Sequence, residues 1–330
     1  MKDKHLGILL AITGAALWGT SGTAAEMLYQ NPNINTFWLV DVRSWLAEAS
    51  LLLISLVHKG KGTFAIFKNP RDLLYAALFS MLGITGAQFT YFYTVAASNA
   101  PTATALVFLA PVLIICFIAA KTRQMPRRID LIAVLLAVVG TVVLVTNGNF
   151  SHLVVTPKTL VWGFFSALTQ ALAIAMPAKL FKKYGTITIL AWGMLLGGII
   201  LSPALAVMPA TGVTVKEWSL VIYIVIAGTV FAYSLYLSSV MYISAGLASM
   251  LEAFEPLVAT ILSVTLLGSD FGIMKMAGGV LIILATCLQV VPSPRRGKLQ
   301  RNLQNFLCIL LKKPVRARKT VLKPKRRFDH

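Results

Sequence analysis

Glu252 and Glu255 stand three residues apart in the stretch SMLEAFEPLVATILSV, residues 249–264, with Pro256 directly after them. Side chains at that spacing share one helix face, about 60° apart around the axis. The neighbouring residues are apolar enough to lie in a bilayer, where an acid at a helix centre costs roughly 2.5–3.5 kcal/mol. Two carboxylates this close repel, and a proton taken by either relieves the repulsion. Such a pair can exchange a proton with a passing solute. The other reading is that each carboxylate satisfies a polar group on a neighbouring helix. Pro256 offers no N–H to the carbonyl of Glu252, which predicts a kink and a free acceptor beside the acids.

A second group lies in NTFWLVDVRSWLAEASLLLISLV. Asp41 and Glu48 are seven apart and share a face, whereas Arg43 points elsewhere. An arginine keeps its charge, so Arg43 needs either an internal carboxylate or an anionic ligand. The third group is aromatic and amide: Trp18, Gln88, Tyr91, Gln170, Tyr233 and Tyr236. Together these side chains suit the wall of a moderately polar cavity for an amphipathic organic solute. Taken singly, each tyrosine also fits an interfacial belt or a packing role. The expected substrate-binding set is therefore Trp18, Arg43, Gln88, Tyr91, Gln170, Tyr233, Tyr236 and Glu252. Asp41, Glu252 and Glu255 are the candidates for proton or charge coupling.

The elements that must carry these residues are membrane spans. The 330-residue chain is 57% hydrophobic and only 12% charged, with a mean hydropathy of +0.78. Apolar runs long enough to cross about 30 Å of hydrocarbon fall at 6–28, 34–57, 73–95, 101–120, 129–147, 158–180, 187–208, 218–240, 246–267 and 271–291. The expected fold is an all-α membrane protein of ten transmembrane helices. A cleaved leader over residues 1–25 is the competing reading, but it puts basic connections on alternating sides. Of the 30 Lys and Arg residues, 26 fall before the first span, in alternate connections or in the tail, and only Lys158 and Lys216 in the others. That asymmetry assigns both termini to the cytoplasm. The net charge of +19 thus reports topology, not a nucleic-acid partner. Cys116 and Cys287 inside spans and Cys308 in the tail read as reduced thiols, the first two packed.

A shift of 145 residues aligns 87–146 with 232–291, matching Ala87 with Ala232, Tyr91 with Tyr236 and Pro111 with Pro256. Gln88 then aligns with Tyr233, while Glu252 and Glu255 align with Val107 and Ala110. The prolines are shared, which makes Pro111 and Pro256 expected helix kinks of the scaffold. The acids are not shared, so they belong to a task of one half. Five spans per half is odd, so the two halves, 1–147 and 158–291, must be inverted relative to each other. Residues 292–330 form a basic tail with an amphipathic pattern at Leu299, Leu303, Phe306, Leu307 and Leu310, suited to anionic lipid.

AALWGTSGTAAEML in the first span, NAPTATALVFLAPVLI in the fourth and ASMLEAFEPLVATILSVTLLG in the ninth resemble the drug/metabolite transporter superfamily, EamA type. The resemblance implies two inverted five-helix repeats around a central cavity lined mainly by the first, third, fourth, sixth, eighth and ninth spans. Members export or exchange small metabolites, amino acids among them. Many close the ninth span with Gly-Glu, where this chain has Gly268, Ser269 and Asp270.

The expected function is a secondary transporter in the cell membrane, exporter or exchanger, acting on an amino-acid-like solute as a monomer or weak homodimer. It implies no cofactor and no metal. There is no G-x-x-x-x-G-K-[ST] loop for ATP. The four histidines, at 5, 58, 152 and 330, make no metalloenzyme pattern. A channel or structural membrane subunit is the alternative, and a membrane-embedded enzyme a more distant one. Gly193 with Gly197, and Gly278 with Gly279, are read as close helix packing.

Overall fold

The computed structural model describes residues 2–123, 125, 128–147, 155–207, 210–239, 242, 243, 248, 251, 252, 254–268 and 272–290. The 292–330 tail, Asp270 and most of the 240–250 connection lie outside the described residues. Among the described residues the chain is all helical, with no strand. Helical segments occupy all ten of the expected apolar runs, and among the described residues five helices are long and apolar enough to cross a membrane.

The first two helices are α1, Lys2–Leu28, and α2, Thr36–Lys59. Asn35 caps α2 by accepting from the Trp38 N–H, and Gly60 ends it at φ 52°, a conformation glycine takes at little cost. A 3₁₀ segment, Gly60–Lys68, leads to α3, Pro70–Phe79, with Asn69 as cap and Pro70 in the first turn. A π-helical stretch, Ser80–Thr85, continues α3 into α4, Gly86–Ala97. Asn99 caps α5, Ala100–Val107, which breaks before α6, Ala110–Thr122. Then follow α7, Arg128–Thr146, α8, Pro157–Ala175, α9, Ala178–Tyr184, and α10, Thr186–Val207. Thr214 and Glu217 form a reciprocal capping box for α11, Val215–Val225. A second π-helical stretch, Ile226–Phe231, joins α11 to α12, Ala232–Ser239. The last two are α13, Phe254–Leu267, and α14, Ile273–Val290.

Packing follows the 145-residue shift. The first span, α1, packs on α12 of the eighth, as α8 of the sixth packs on α4 of the third. Between them, α2 lies along α10 and α7 along α14. The π-helical stretches of the third and eighth spans fall at matching places. Each crosses a partner: Ser80 donates to the Gly193 carbonyl of α10, and Thr229 receives a bond from Arg43 of α2. Glycine is required where backbones touch. A Cβ on Gly278 would meet the Gly140 carbonyl of α7 at 2.6 Å, and one on Gly140 would meet the Gly278 carbonyl at 2.7 Å.

Several expectations need correction. Gly279 has nothing within 4 Å of its would-be Cβ, so it does not serve close packing. Cys116 is exposed on the outer surface of the bundle. The prolines do not kink continuous helices. Pro111 and Pro256 sit in the first turns of α6 and α13, where a missing N–H costs little. The Glu252 carbonyl is not free either, because the Glu255 N–H donates to it at 2.9 Å. A three-residue bond has replaced the lost four-residue one.

Candidate functional site

The two helix breaks open onto a cavity of about 160 Å³. Its walls come from α1, α2, α4, the α5–α6 break, α8, α12, the segment before α13 and the first turn of α13. Seven of the eight expected substrate-binding residues line it: Trp18, Arg43, Gln88, Tyr91, Gln170, Tyr233 and Glu252. Glu255 lines it as well.

Arg43 is 5% exposed. Its Nε donates to Thr229 Oγ1 at 2.7 Å, and its guanidinium lies 4.8 Å from the centre of the Phe92 ring, a cation–π contact. Thr229 has already donated its own hydroxyl to the Ile224 carbonyl at 3.0 Å, five residues back in the π-helical stretch. That leaves its oxygen free to accept from Arg43. Among the described residues no carboxylate oxygen lies within 4.0 Å of Arg43. The internal ion pair left open by the sequence is therefore not formed, although two glutamates share the same cavity.

Gln88 is 7% exposed, and both ends of its amide lack a hydrogen-bond partner. A covered amide with neither end satisfied costs about 1–3 kcal/mol per group. Facing a cavity, it is available to a ligand that both donates and accepts. The Tyr91 hydroxyl is engaged with Thr104 Oγ1 at 3.0 Å. Trp18 packs against Tyr233 and Tyr236, with ring centres 5.0 and 5.1 Å away. Tyr236, expected in the wall, stands one step behind it, with its ring against Trp18.

Sequence reasoning missed Ser21, Ala87, Val107, Phe108 and Ala110, which also line the cavity, and left Phe92 of the aromatic third span out of the binding set. The repeat held the signal for two of them, since Val107 and Ala110 are the counterparts of Glu252 and Glu255. It also passed over Glu26, whose carboxylate accepts from the Ala100 N–H at 2.9 Å and from Ser263 Oγ at 2.6 Å. That acid ties α1 to α5 and α13. Asp41 is the one expected coupling residue that the structure sets apart: it lies on the opposite side of α2 from Arg43, against α10.

Residues 5–146 and 157–291 each match the model of the EamA-like transporter family. The chain belongs to the EamA-like transporter family. It is 35% identical over 301 residues to an uncharacterized inner membrane transporter, YicL, of Salmonella typhimurium, covering 90% of this chain and 99% of that protein. An uncharacterized transporter, YxxF, of Bacillus subtilis is 23% identical over 90% of this chain and 93% of its own length. A solved crystal structure superimposes with a TM-score of 0.59 at 18% identity, covering 90% of this chain and 98% of the other. That likeness speaks for the fold alone. The EamA protein is a multi-pass membrane transporter, and the cavity is its candidate solute site.

Proposed function

We propose that this EamA protein is a secondary transporter that exports or exchanges a small zwitterionic solute of amino-acid type. Its halves, 1–147 and 158–291, are read as inverted five-helix repeats that alternate access to the cavity from either side. The alternating basic connections favour cytoplasmic termini, and the relative's printed name favours an inner membrane. The observation that carries the solute reading is Arg43: a fully charged guanidinium faces the cavity with no acid paired to it, while Glu252 and Glu255 occupy another wall. Separated charges of opposite sign suit a solute that carries both. The carboxylate would meet Arg43 and Gln88, the ammonium would meet Glu252 and Glu255, and the side chain would lie against Trp18, Tyr233 and Phe108. Proton or charge exchange with the solute is assigned to the glutamate pair. The basic tail is expected to rest on anionic lipid.

The test is counterflow in liposomes holding purified protein, with tritiated leucine and phenylalanine as probes. Saturable counterflow that is lost in Arg43→Ala supports the reading. Flux that never saturates and shows no counterflow would favour the channel alternative. A thermal-shift screen over amino acids, nucleosides and organic cations then orders the solutes.

A further inference from the structure

The cavity accounts for one face of α2. Its other face buries two more acids, Asp41 at 0% exposure and Glu48 at 5%. Neither oxygen of Asp41 has a hydrogen-bond partner, and Oε2 of Glu48 has none. This face lies along α10, whose register against it is fixed by side-chain contacts. Trp45 Nε1 donates to Ser202 Oγ at 2.9 Å, the Trp45 ring covers Gly198, and Ser55 Oγ bonds Thr188 Oγ1 at 2.8 Å. Antiparallel helices so aligned put Asp41 beside Ser202 and Glu48 opposite Leu195. Ser202 lies beside Asp41 but donates its hydroxyl to the Gly198 carbonyl at 2.8 Å, which leaves both Asp41 oxygens without a bond. Leucine can satisfy nothing.

We propose that the α2–α10 seam is a proton site outside the solute cavity, with Asp41 and Glu48 as its two carriers. An ionised carboxylate left unpaired in such a place costs several kcal/mol even after relaxation. Among the described residues no cation stands by to offset it. α10 carries no ionisable residue at all. Arg43 is committed to Thr229, and Lys59 to the Tyr184 carbonyl. On the other elements packed against α2, Tyr91 is bonded to Thr104, Tyr93 lies under Lys158, Glu217 is bonded to Asn31 and Tyr223 to Thr20. His58, Lys61, Lys68 and Lys216 are exposed. What remains to neutralise each acid is a proton.

The spacing argues for transit. Asp41, Glu48 and Ser55 recur every seven residues on one face, about 10 Å per step along the axis. Ser55 opens onto a buried hydroxyl cluster with Thr188 and with Thr63 at 3.0 Å, next to the 58–72 connection assigned to the cytoplasm. Glu48 is at the middle of the helix, and Asp41 lies a further two turns toward its other end. Two carboxyls a step apart cannot share one metal ion, which separates this site from a sodium cage. Binding forms an O–H bond at the carboxylate with a proton from water on one side. Release breaks it toward water on the other as α2 slides on α10.

The inference rests on the transporter reading, and the test separates the two. Purified wild type, Asp41→Asn, Glu48→Gln and the double variant are placed in liposomes. Infrared spectra are recorded as the buffer is stepped from alkaline to acid. Each single variant is expected to lose one component of the protonated-carboxyl band, and the double variant both. Leucine counterflow is expected to persist in the double variant, while accumulation driven by a pH gradient falls to the level of passive equilibration. Spectra showing both groups ionised across the range, or accumulation driven by sodium with these bands unchanged, overturn the proposal. Absence of leucine counterflow in the wild type refutes the solute reading and leaves the infrared result to decide the seam.

Discussion

The fourth and ninth spans break within one residue of the same place in the repeat and both open onto one cavity. In the fourth, the Leu109 N–H bonds the Leu106 carbonyl at 3.0 Å and Pro111 follows in the first turn of α6. In the ninth, the Glu255 N–H bonds the Glu252 carbonyl at 2.9 Å and Pro256 follows in the first turn of α13. The backbones are alike. The side chains they offer are not: Val107 and Ala110 on one wall, Glu252 and Glu255 on the other. A duplicated break supplies two places where a helix opens onto the cavity, and substitution in one copy alone makes the site polar from end to end. The same contrast recurs at Gln88 and its counterpart Tyr233, an amide and a phenol that both line the cavity.

The largest effect should come from Arg43, the group with no counterpart in function anywhere in the second half. Arg43→Ala removes a charge-assisted bond to the solute, worth about 1.5–3 kcal/mol, or roughly 10- to 150-fold in affinity. Counterflow of leucine should fall below detection while the protein still inserts. Arg43→Lys should rescue little. A single ammonium cannot hold Thr229, cover Phe92 and present a planar fork at once.

Next in size are the acids against their apolar counterparts. Glu252→Gln and Glu255→Gln should each weaken leucine about tenfold, the equivalent of 1.4 kcal/mol, and leave carboxylates without an amine unaffected. Val107→Ala, at the matching position, should leave the apparent affinity unchanged. If both walls respond alike, the contrast between scaffold and chemistry is lost. Gln88→Leu should be milder still. It removes one hydrogen bond to the solute, about 1 kcal/mol, and relieves an unsatisfied amide, so transport weakens about fivefold while the protein melts at a higher temperature.

Most of this architecture was legible because membrane insertion writes it in composition. Long apolar runs and alternating lysines act locally, and local forces can be read from one sequence. The wall residues were legible for a related reason. Polar side chains such as Gln88 and Arg43 inside a span must find a wet surface, and the central cavity is the one they share. What could not be read was pairing at a distance. Arg43 chose Thr229, 186 residues away, over any acid, and only the packing of α2 across the second π-helical stretch decides that. Glu26 was overlooked because a lone acid near a span end reads as interfacial, and its partners Ala100 and Ser263 lie on two other helices. Prolines were taken for kinks because a span predicted as one helix hides an internal helix start.

The smallest effect on transport should come from the scaffold, where α7 and α14 pack outside the cavity. Gly278 and Gly279 are adjacent, and the sequence treats them alike, yet their surroundings differ. A Cβ at 278 would press on the Gly140 carbonyl and the Leu144 N, both at 2.6 Å. Backbone cannot step aside as a side-chain end can, so Gly278→Ala must separate the helices, at about 1–3 kcal/mol. At 279 the new methyl meets open space and only limits the freedom of the unfolded chain, a gain of about 0.4–1 kcal/mol. Thermal melts of the two purified variants should therefore shift in opposite directions, with leucine affinity unchanged in both. A change in affinity for either would mean that the α7–α14 pair takes part in the transport cycle, and that scaffold and chemistry are not as separable as the two helix breaks suggest.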